Sequence, residues 1–228
     1  HGMGAEKYIM IRRLFFFLGI VILLAHFNAF NRNVDASQRP EITPDNKSEA
    51  FARISSESKN LQTFSSDFTQ ERHLAVLKDP LLSIGRFGYI KPDSLYWEIT
   101  KPVPSGFAMI GGKARRWMNN QRHSQSFDLE KEPVINMIVE QIFAWTRADF
   151  PWLEKRYTIT VSDEIPTELR LVPLSSQEKK HISHLMVRFS KNWSQLNSVE
   201  IHEKGGDFTR IIFVNTILNQ PLPKSFSE

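Results

Sequence analysis

From Phe64 onward, apolar and polar residues mostly alternate, the period that places one face of a β-strand on a core and the other in water. Leu95, Trp97 and Ile99 alternate with Tyr96, Glu98 and Thr100. Similar short runs recur at 82–90, 106–110, 114–119, 156–161, 167–172, 182–189, 197–203 and 208–214. Turn signals separate them, among them Lys91-Pro92-Asp93, Gly111-Gly112 and Gly205-Gly206-Asp207. The pattern predicts a series of antiparallel hairpins. Strand, helix and strand do not alternate, which disfavours a doubly wound α/β fold and its nucleotide sites.

Two segments follow a different period. Residues 37–47 (SQRPEITPDNK) read as a polar linker, within which Thr43 is placed to cap a helix with Pro44 in its first turn, where a missing N–H costs nothing. Phe51, Ile54 and Leu61 recur at helical spacing and predict a helix ending near Asn60. Further on, Glu132-Pro133 opens a helix running to about Arg147, with Ile135, Ile138, Val139 and Ile142 in one stripe. Met137, Phe143 and Trp145 widen that stripe until only Asn136, Glu140 and Gln141 keep a polar edge, more apolar surface than a helix with its back in water requires. Two readings fit: a deeply buried helix, and a lid over an apolar hollow that touches both protein and ligand.

The N-terminal segment is apolar without any face. Arg12 and Arg13 precede the twelve-residue run LFFFLGIVILLA, the grammar of a secretory signal and too short to span a bilayer, which takes about 20 apolar residues. Residues 1–36 are therefore expected to be a signal peptide, the stretch before residue 10 being open to reading as a tag, and the compartment the periplasm, with an uncleaved inner-membrane anchor as the alternative. Val34-Asp35-Ala36 and Ala29 are the competing cleavage sites. Residues 48–228 then form one domain, a size that can bury a substantial core.

Charge adds little. The net +4 falls to +2 once residues 1–36, with four Lys and Arg against two acids, are removed. The remainder is spread along the chain, so no nucleic-acid partner is expected. The absence of cysteine excludes disulfides, thiolate chemistry and acylation of this chain at a cysteine.

In order along the chain stand Phe68-Thr69-Gln70, Gly85 and Phe87, Lys91-Pro92 leading into Leu95-Tyr96-Trp97, and Thr100-Lys101-Pro102. Gly112-Lys113 with Trp117 and Asn119 follow, then Leu169-Arg170-Leu171-Val172-Pro173, and Gly205-Gly206-Asp207-Phe208-Thr209 leading to Phe213 and Asn215. Together, from about Glu49 to the C-terminus, these motifs resemble the LolA family of periplasmic lipoprotein carriers. The resemblance implies a mainly β (α+β) fold, an unclosed antiparallel β-barrel or strongly curved sheet with a helical lid packed on its concave face. It also implies an acylated lipoprotein or lipid as cargo, an inner-membrane ABC-type release complex, and an outer-membrane acceptor. Candidate cavity residues are Phe87, Leu95, Trp97 and Met109 on strands with Ile135, Ile138 and Ile142 on the lid, each of them equally readable as ordinary core. Carriers of this family have an arginine at the position of Lys91 that latches the lid. Lysine keeps the charge but lacks the planar fork, so the latch is expected to be looser or built otherwise.

Catalytic chemistry is not proposed by the sequence. It holds no G-x-S-x-G, Walker loop, H-E-x-x-H or dinucleotide-binding glycine pattern. Gly111-Gly112-Lys113 reads as a hairpin turn. His181 and His184 would point to opposite faces, and Asp163-Glu164 beside Pro166 read as solvated turn residues. The expectation is a monomeric carrier with no cofactor, metal or catalytic residue, moving acylated cargo between the two membranes. A glycolipid carrier and a non-catalytic lipid or lipoprotein sensor are the alternatives.

Overall fold

The computed structural model describes residues 44–118, 125–162, 166–223 and 226. The expected signal (1–36), Thr43, Asn119 and Asp163-Glu164 lie outside the described residues. Helix α1 (Pro44–Lys59) leads into strands β1 (Thr63–His73), β2 (Leu81–Ile90), β3 (Ser94–Lys101), β4 (Ser105–Ile110), β5 (Lys113–Met118) and β6 (Gln125–Phe127). Helices α2 (Pro133–Arg147) and α3 (Phe150–Glu154) follow. The chain then forms β7 (Tyr157–Val161), β8 (Glu168–Pro173), β9 (Ile182–Phe189), β10 (Leu196–Glu203) and β11 (Phe208–Leu218).

The eleven strands make one sheet in the order β6-β5-β4-β3-β2-β1-β11-β10-β9-β8-β7. Two meanders, β1–β6 and β7–β11, meet at the long antiparallel seam between β1 and β11, where Phe68 lies opposite Phe213 and His73 opposite Phe208. The order ends at β6 and β7, so the sheet is not closed. Inward residues of both meanders, from Phe107 on β4 to Ile159 on β7, join α1, α2 and α3 in a single apolar cluster. The sheet therefore wraps around the helices, which pack on its concave side. This is the mainly β, unclosed architecture expected from the sequence.

Period 2 located the strands well where it was sustained: β9 spans the segment read as strand, and β11 runs on past Val214 to Leu218. Two elements escaped it. β6 has three residues, too few to show a period. α3 has five, and its local signal is Asp149 followed by Pro151: the Asp149 carboxylate accepts from the Trp152 backbone N–H, and Pro lies in the first turn. α2 stops just before, at Ala148, whose N–H reaches the Ala144 and Trp145 carbonyls and whose left-handed φ of 50° turns the Asp149 N–H back to the Ala144 carbonyl at 2.9 Å.

The outer face was expected to meet water, and at Tyr96 it does not. Tyr96 is buried, its ring 4.8 Å from that of Phe226, and Ala108, Trp117 and Leu222 complete a small second cluster. The C-terminal segment lies across the back of β2 and β3, tightly enough that a Cβ on Gly88 would meet Phe226 at 2.7 Å.

Elsewhere the outer face carries charges of alternating sign. Arg210 bridges Glu71 (3.2 Å) and Glu200 (2.9 Å), and Arg188 bridges Glu200 and Glu168 (both 2.6 Å). Glu200 also accepts from His202 at 2.8 Å. The hydrogen bond from His202, with those from Arg188 and Arg210, outweighs its desolvation and holds its carboxyl well below the usual carboxylate range.

Candidate functional site

Antiparallel register assembles the strand candidates into two neighbouring rows on the concave face. Phe64, Tyr89, Leu95 and Met109 stand opposite one another across β1, β2, β3 and β4. Phe87, Trp97 and Phe107 form the next row. Aromatic rings tie the rows together: Trp97 lies 4.5 Å from Phe68 and 5.7 Å from Phe87, and Phe87 lies 5.4 Å from Phe213. Gly85 makes room for this, since Phe68 and the Glu98 carbonyl occupy the space a Cβ would need.

Helix α2 covers these rows. Ile135, Ile138 and Ile142 are buried in the same cluster as Phe87, Leu95, Trp97 and Met109, and all seven are at most 7% exposed. Phe143 meets the Tyr89 ring at 5.8 Å. The deeply buried helix and the lid turn out to be compatible descriptions of one element. Phe64, Phe68, Tyr89 and Phe213 belong to the same wall and were not among the cavity candidates, although Phe68 and Phe213 stand in the motifs that carry the family resemblance. Their signal was the same alternation, weakened in β1 by the polar neighbours Ser65, Ser66 and Asp67.

Among the described residues, two side-chain hydrogen bonds fasten α2, one towards each half of the sheet, beside a 4.0 Å ion pair between Glu140 and Arg156. On one side Gln141 Nε2 donates to Tyr157 Oη on β7 at 2.6 Å. On the other, Arg147 Nη1 donates to the Pro92 carbonyl in the β2–β3 turn at 3.3 Å, while its guanidinium lies 4.8 Å from the centroid of the Phe143 ring. Lys91 sits in that same turn, but its Nζ donates to the Lys59 carbonyl at the end of α1, 3.3 Å away. The guanidinium that reaches this turn belongs to Arg147 on the helix.

The interior is apolar with a few polar atoms. Among the described residues, the buried side-chain atoms lacking a hydrogen-bond partner are Gln70 Oε1, Tyr89 Oη, Trp97 Nε1 and Trp145 Nε1. Burial pushes the Tyr89 phenol up, which keeps its proton in place. No buried residue in the described set is Lys or Arg. His184 lies on the outer face of β9, its ring stacked on His202 at 4.4 Å, and His181 follows a short 3-10 turn, so the two do not converge. No group of three or more His, Cys, Asp or Glu among the described residues is arranged to hold a metal ion. No described helix is long and apolar enough to cross a membrane.

Comparison with known proteins places this arrangement. No curated protein sequence matches the chain. Among solved structures, the MucA/MucB complex of Pseudomonas aeruginosa matches at 12% identity and a TM-score of 0.48, over 79% of this chain and 59% of that one. This chain thus spans little more than half of that relative. The lipoprotein LppX of Mycobacterium tuberculosis matches at 10% identity and a TM-score of 0.45, over 79% of this chain and 99% of that one. A LolA superfamily protein from Nitrosomonas europaea matches at 9% identity and a TM-score of 0.38, over 79% and 97% of the two chains. The family described as outer membrane lipoprotein carrier protein LolA matches residues 59–227, from the end of α1 through the whole sheet and its C-terminal segment, and the chain belongs to that family.

Proposed function

We propose that this protein is a periplasmic carrier that holds the acyl chains of a lipidated cargo between α2 and the concave face of the sheet, and releases them to an acceptor without catalysing a reaction. The observation that carries the reading is that α2 turns Ile135, Ile138 and Ile142 onto an apolar wall while, among the described residues, few side-chain ties hold it: Gln141 to Tyr157, Arg147 to Pro92 and a 4.0 Å ion pair between Glu140 and Arg156. Acyl chains leave water with about 0.8 kcal/mol for each buried CH₂. They can replace Ile135, Ile138 and Ile142 against the wall when α2 lifts, so apolar surface is exchanged rather than exposed.

Transport direction would come from partners: an inner-membrane ATP-driven complex that loads the carrier and an outer-membrane acceptor of higher affinity. The basic and apolar N-terminal segment supports export, with residues 1–36 as the signal and 48–228 as the carrier domain. A lipidated polypeptide is favoured as cargo by membership of the family.

Photo-crosslinking in cells from a benzoylphenylalanine at position 97, followed by mass spectrometry of the adduct, tests this. A bulky aromatic is the appropriate probe, because Leu95 and Trp97 are so deeply buried that a charged substitution would unfold the protein as well as empty the site. An acylated polypeptide supports carriage of lipoproteins. A lipid alone moves the cargo to a glycolipid or other small acylated molecule, and no adduct from a well-expressed protein sinks the carrier reading.

A further inference from the structure

Large apolar side chains left in water are ordinary when scattered and mark a contact surface when they gather. Here they gather at one rim of the sheet. Val76 and Leu77 at the tip of the β1–β2 hairpin, with Leu81 and Leu82 opening β2, are all exposed, Val76 to 89%. Val103 in the β3–β4 loop and Leu174 in the β8–β9 loop are exposed at the same rim. At the opposite rim Ile90, Ile110 and Ile217 stand one to a strand. The loops of the first rim are joined to one another. The Ala75 N–H donates to Asp207 Oδ1 at 2.8 Å in the β10–β11 turn, and from that turn the Lys204 N–H donates to the His181 carbonyl at 2.9 Å. On the other side, Thr100 Oγ1 donates to the Ile84 carbonyl at 3.1 Å and ties the end of β3 to the start of β2.

Charge at this rim is one-sided. Lys78, Lys101, Lys179, Lys180 and Lys204 are exposed on these loops or beside them. Of the acids, Glu203 and Asp207 face Arg72, which reaches them from β1 at 2.5 and 3.9 Å. That leaves Asp79 and Glu178 against the lysines. Protein interfaces are enriched in aromatic residues, Met and Arg, and depleted of Lys. The exposed residues of these loops show the reverse: aliphatic side chains and lysines, with no aromatic, Met or Arg among those described. Aliphatic tips ringed by lysines fit the boundary between acyl chains and anionic headgroups, where apolar side chains enter and ammonium groups stay with the phosphates.

We propose that this rim docks on the surface of an anionic phospholipid bilayer, with Val76, Leu77 and Val103 entering the headgroup boundary and Lys78, Lys101 and Lys204 meeting lipid phosphates. The proposal does not depend on what the hollow under α2 holds. It adds an orientation: the protein stands on the bilayer with the β1–β2 hairpin down and the Gly111-Gly112 turn away from it. The contact is a reversible one. Each lysine near the surface is worth about fivefold in partitioning, and salt weakens that attraction.

The chain has no cysteine, so an environment-sensitive nitrobenzoxadiazole label can be placed at one position of the full chain, on Val76→Cys or, at the opposite rim, on Ile110→Cys. Vesicles of phosphatidylcholine and phosphatidylglycerol are expected to brighten the label at 76 and shift it to the blue, and to leave the label at 110 unchanged. Vesicles of phosphatidylcholine alone should need about tenfold more lipid for the same response. Leu77→Asp and Val103→Asp, at exposed positions on two different loops, should each weaken the response about tenfold without lowering the melting temperature. The apolar run at 14–25 would not reproduce this pattern, since it would draw both labels to neutral and anionic vesicles alike. No change at 76, or equal changes at 76 and 110, overturns membrane docking. An equal response to neutral vesicles overturns the role of the lysines. A blue shift at 76 that needs no vesicles and grows with protein concentration also overturns docking, and gives the rim to a second copy of the chain.

Discussion

The Trp97 indole lies tilted against the Phe68 ring, centroids 4.5 Å apart, and Phe68 in turn occupies the space that any side chain at Gly85 would need. Gly85→Ala therefore confronts Phe68 and, worse, the backbone carbonyl of Glu98, which belongs to the paired strand and cannot swing away. The variant is expected to lose about 3 kcal/mol of stability, read as a fall in the urea midpoint without a change of slope. A midpoint within 0.5 kcal/mol of wild type, on the order of an ordinary surface substitution, would show that the wall tolerates displacement of Phe68.

The ties from the middle and the C-terminal end of α2 predict how the lid is released. Arg147→Lys keeps the charge but loses the fork that reaches Pro92 while covering Phe143, and Gln141→Leu removes the bond to Tyr157. Each should raise the hydrogen-exchange rate of the amides in 135–147 about fivefold, the equivalent of one hydrogen bond. Lys91→Ala, whose bond goes to the end of α1, should leave those amides unchanged. Faster exchange in α2 for Lys91→Ala alone would return the latch to the position that the family resemblance indicates.

Glu200 makes the outer face acid-sensitive. Its carboxyl is held below its ordinary value, so its contribution is fully present above the unfolded carboxylate range and is lost as pH falls below about 4.5 towards the depressed value. Glu200→Gln should cost about 2–3 kcal/mol at pH 7, since it removes the negative charge between Arg188 and Arg210 and puts an amide NH₂ where Oε2 accepts from His202. It should also flatten the decline in melting temperature between pH 5 and pH 3. A variant that declines as steeply as wild type would assign the acid sensitivity to other carboxylates.

Tyr96 reports whether the C-terminal segment stays on the back of the sheet. Burial, with Glu98 adding to it, pushes its phenol up to about 12. The folded state holds that proton more tightly than the unfolded chain, so this stabilisation is complete below pH 10 and disappears as pH rises through the shifted value. Phe226→Ala opens the cover over Tyr96. Its ultraviolet titration should move back towards 10 and its stability fall by about 3 kcal/mol. An unchanged titration would mean that Trp117 and Leu222 shield the phenol by themselves.

The strands and α2 were legible because their packing obeys a local period, and the residues chosen on that period, from Phe87 to Ile142, do come together under one helix. What stayed hidden depends on partners distant in sequence or on backbone atoms. Tyr96 alternates like a solvent-facing residue, and nothing in its neighbourhood announces a ring 130 positions later. Arg147 reads as a C-terminal helix cation, and its acceptor is a carbonyl, which carries no signature in the chain. The four unpaired polar atoms are invisible for the converse reason: Gln70, Tyr89, Trp97 and Trp145 look ordinary until each neighbour is known.

The β1–β11 seam has a consequence for the order in which the protein acquires its structure. It joins 63–73 to 208–218, the first and last strands in sequence, and among the described residues is the ladder that links the two meanders. Each meander can zip locally, but closing the seam requires a loop of well over 100 residues, a slow step whose cost is met only when nearly the whole sheet exists. A ribosome must therefore release most of the chain before the concave wall is continuous. Until then Phe64 and Phe68 on β1 remain apart from Phe213 on β11, and the apolar interior stays open to water.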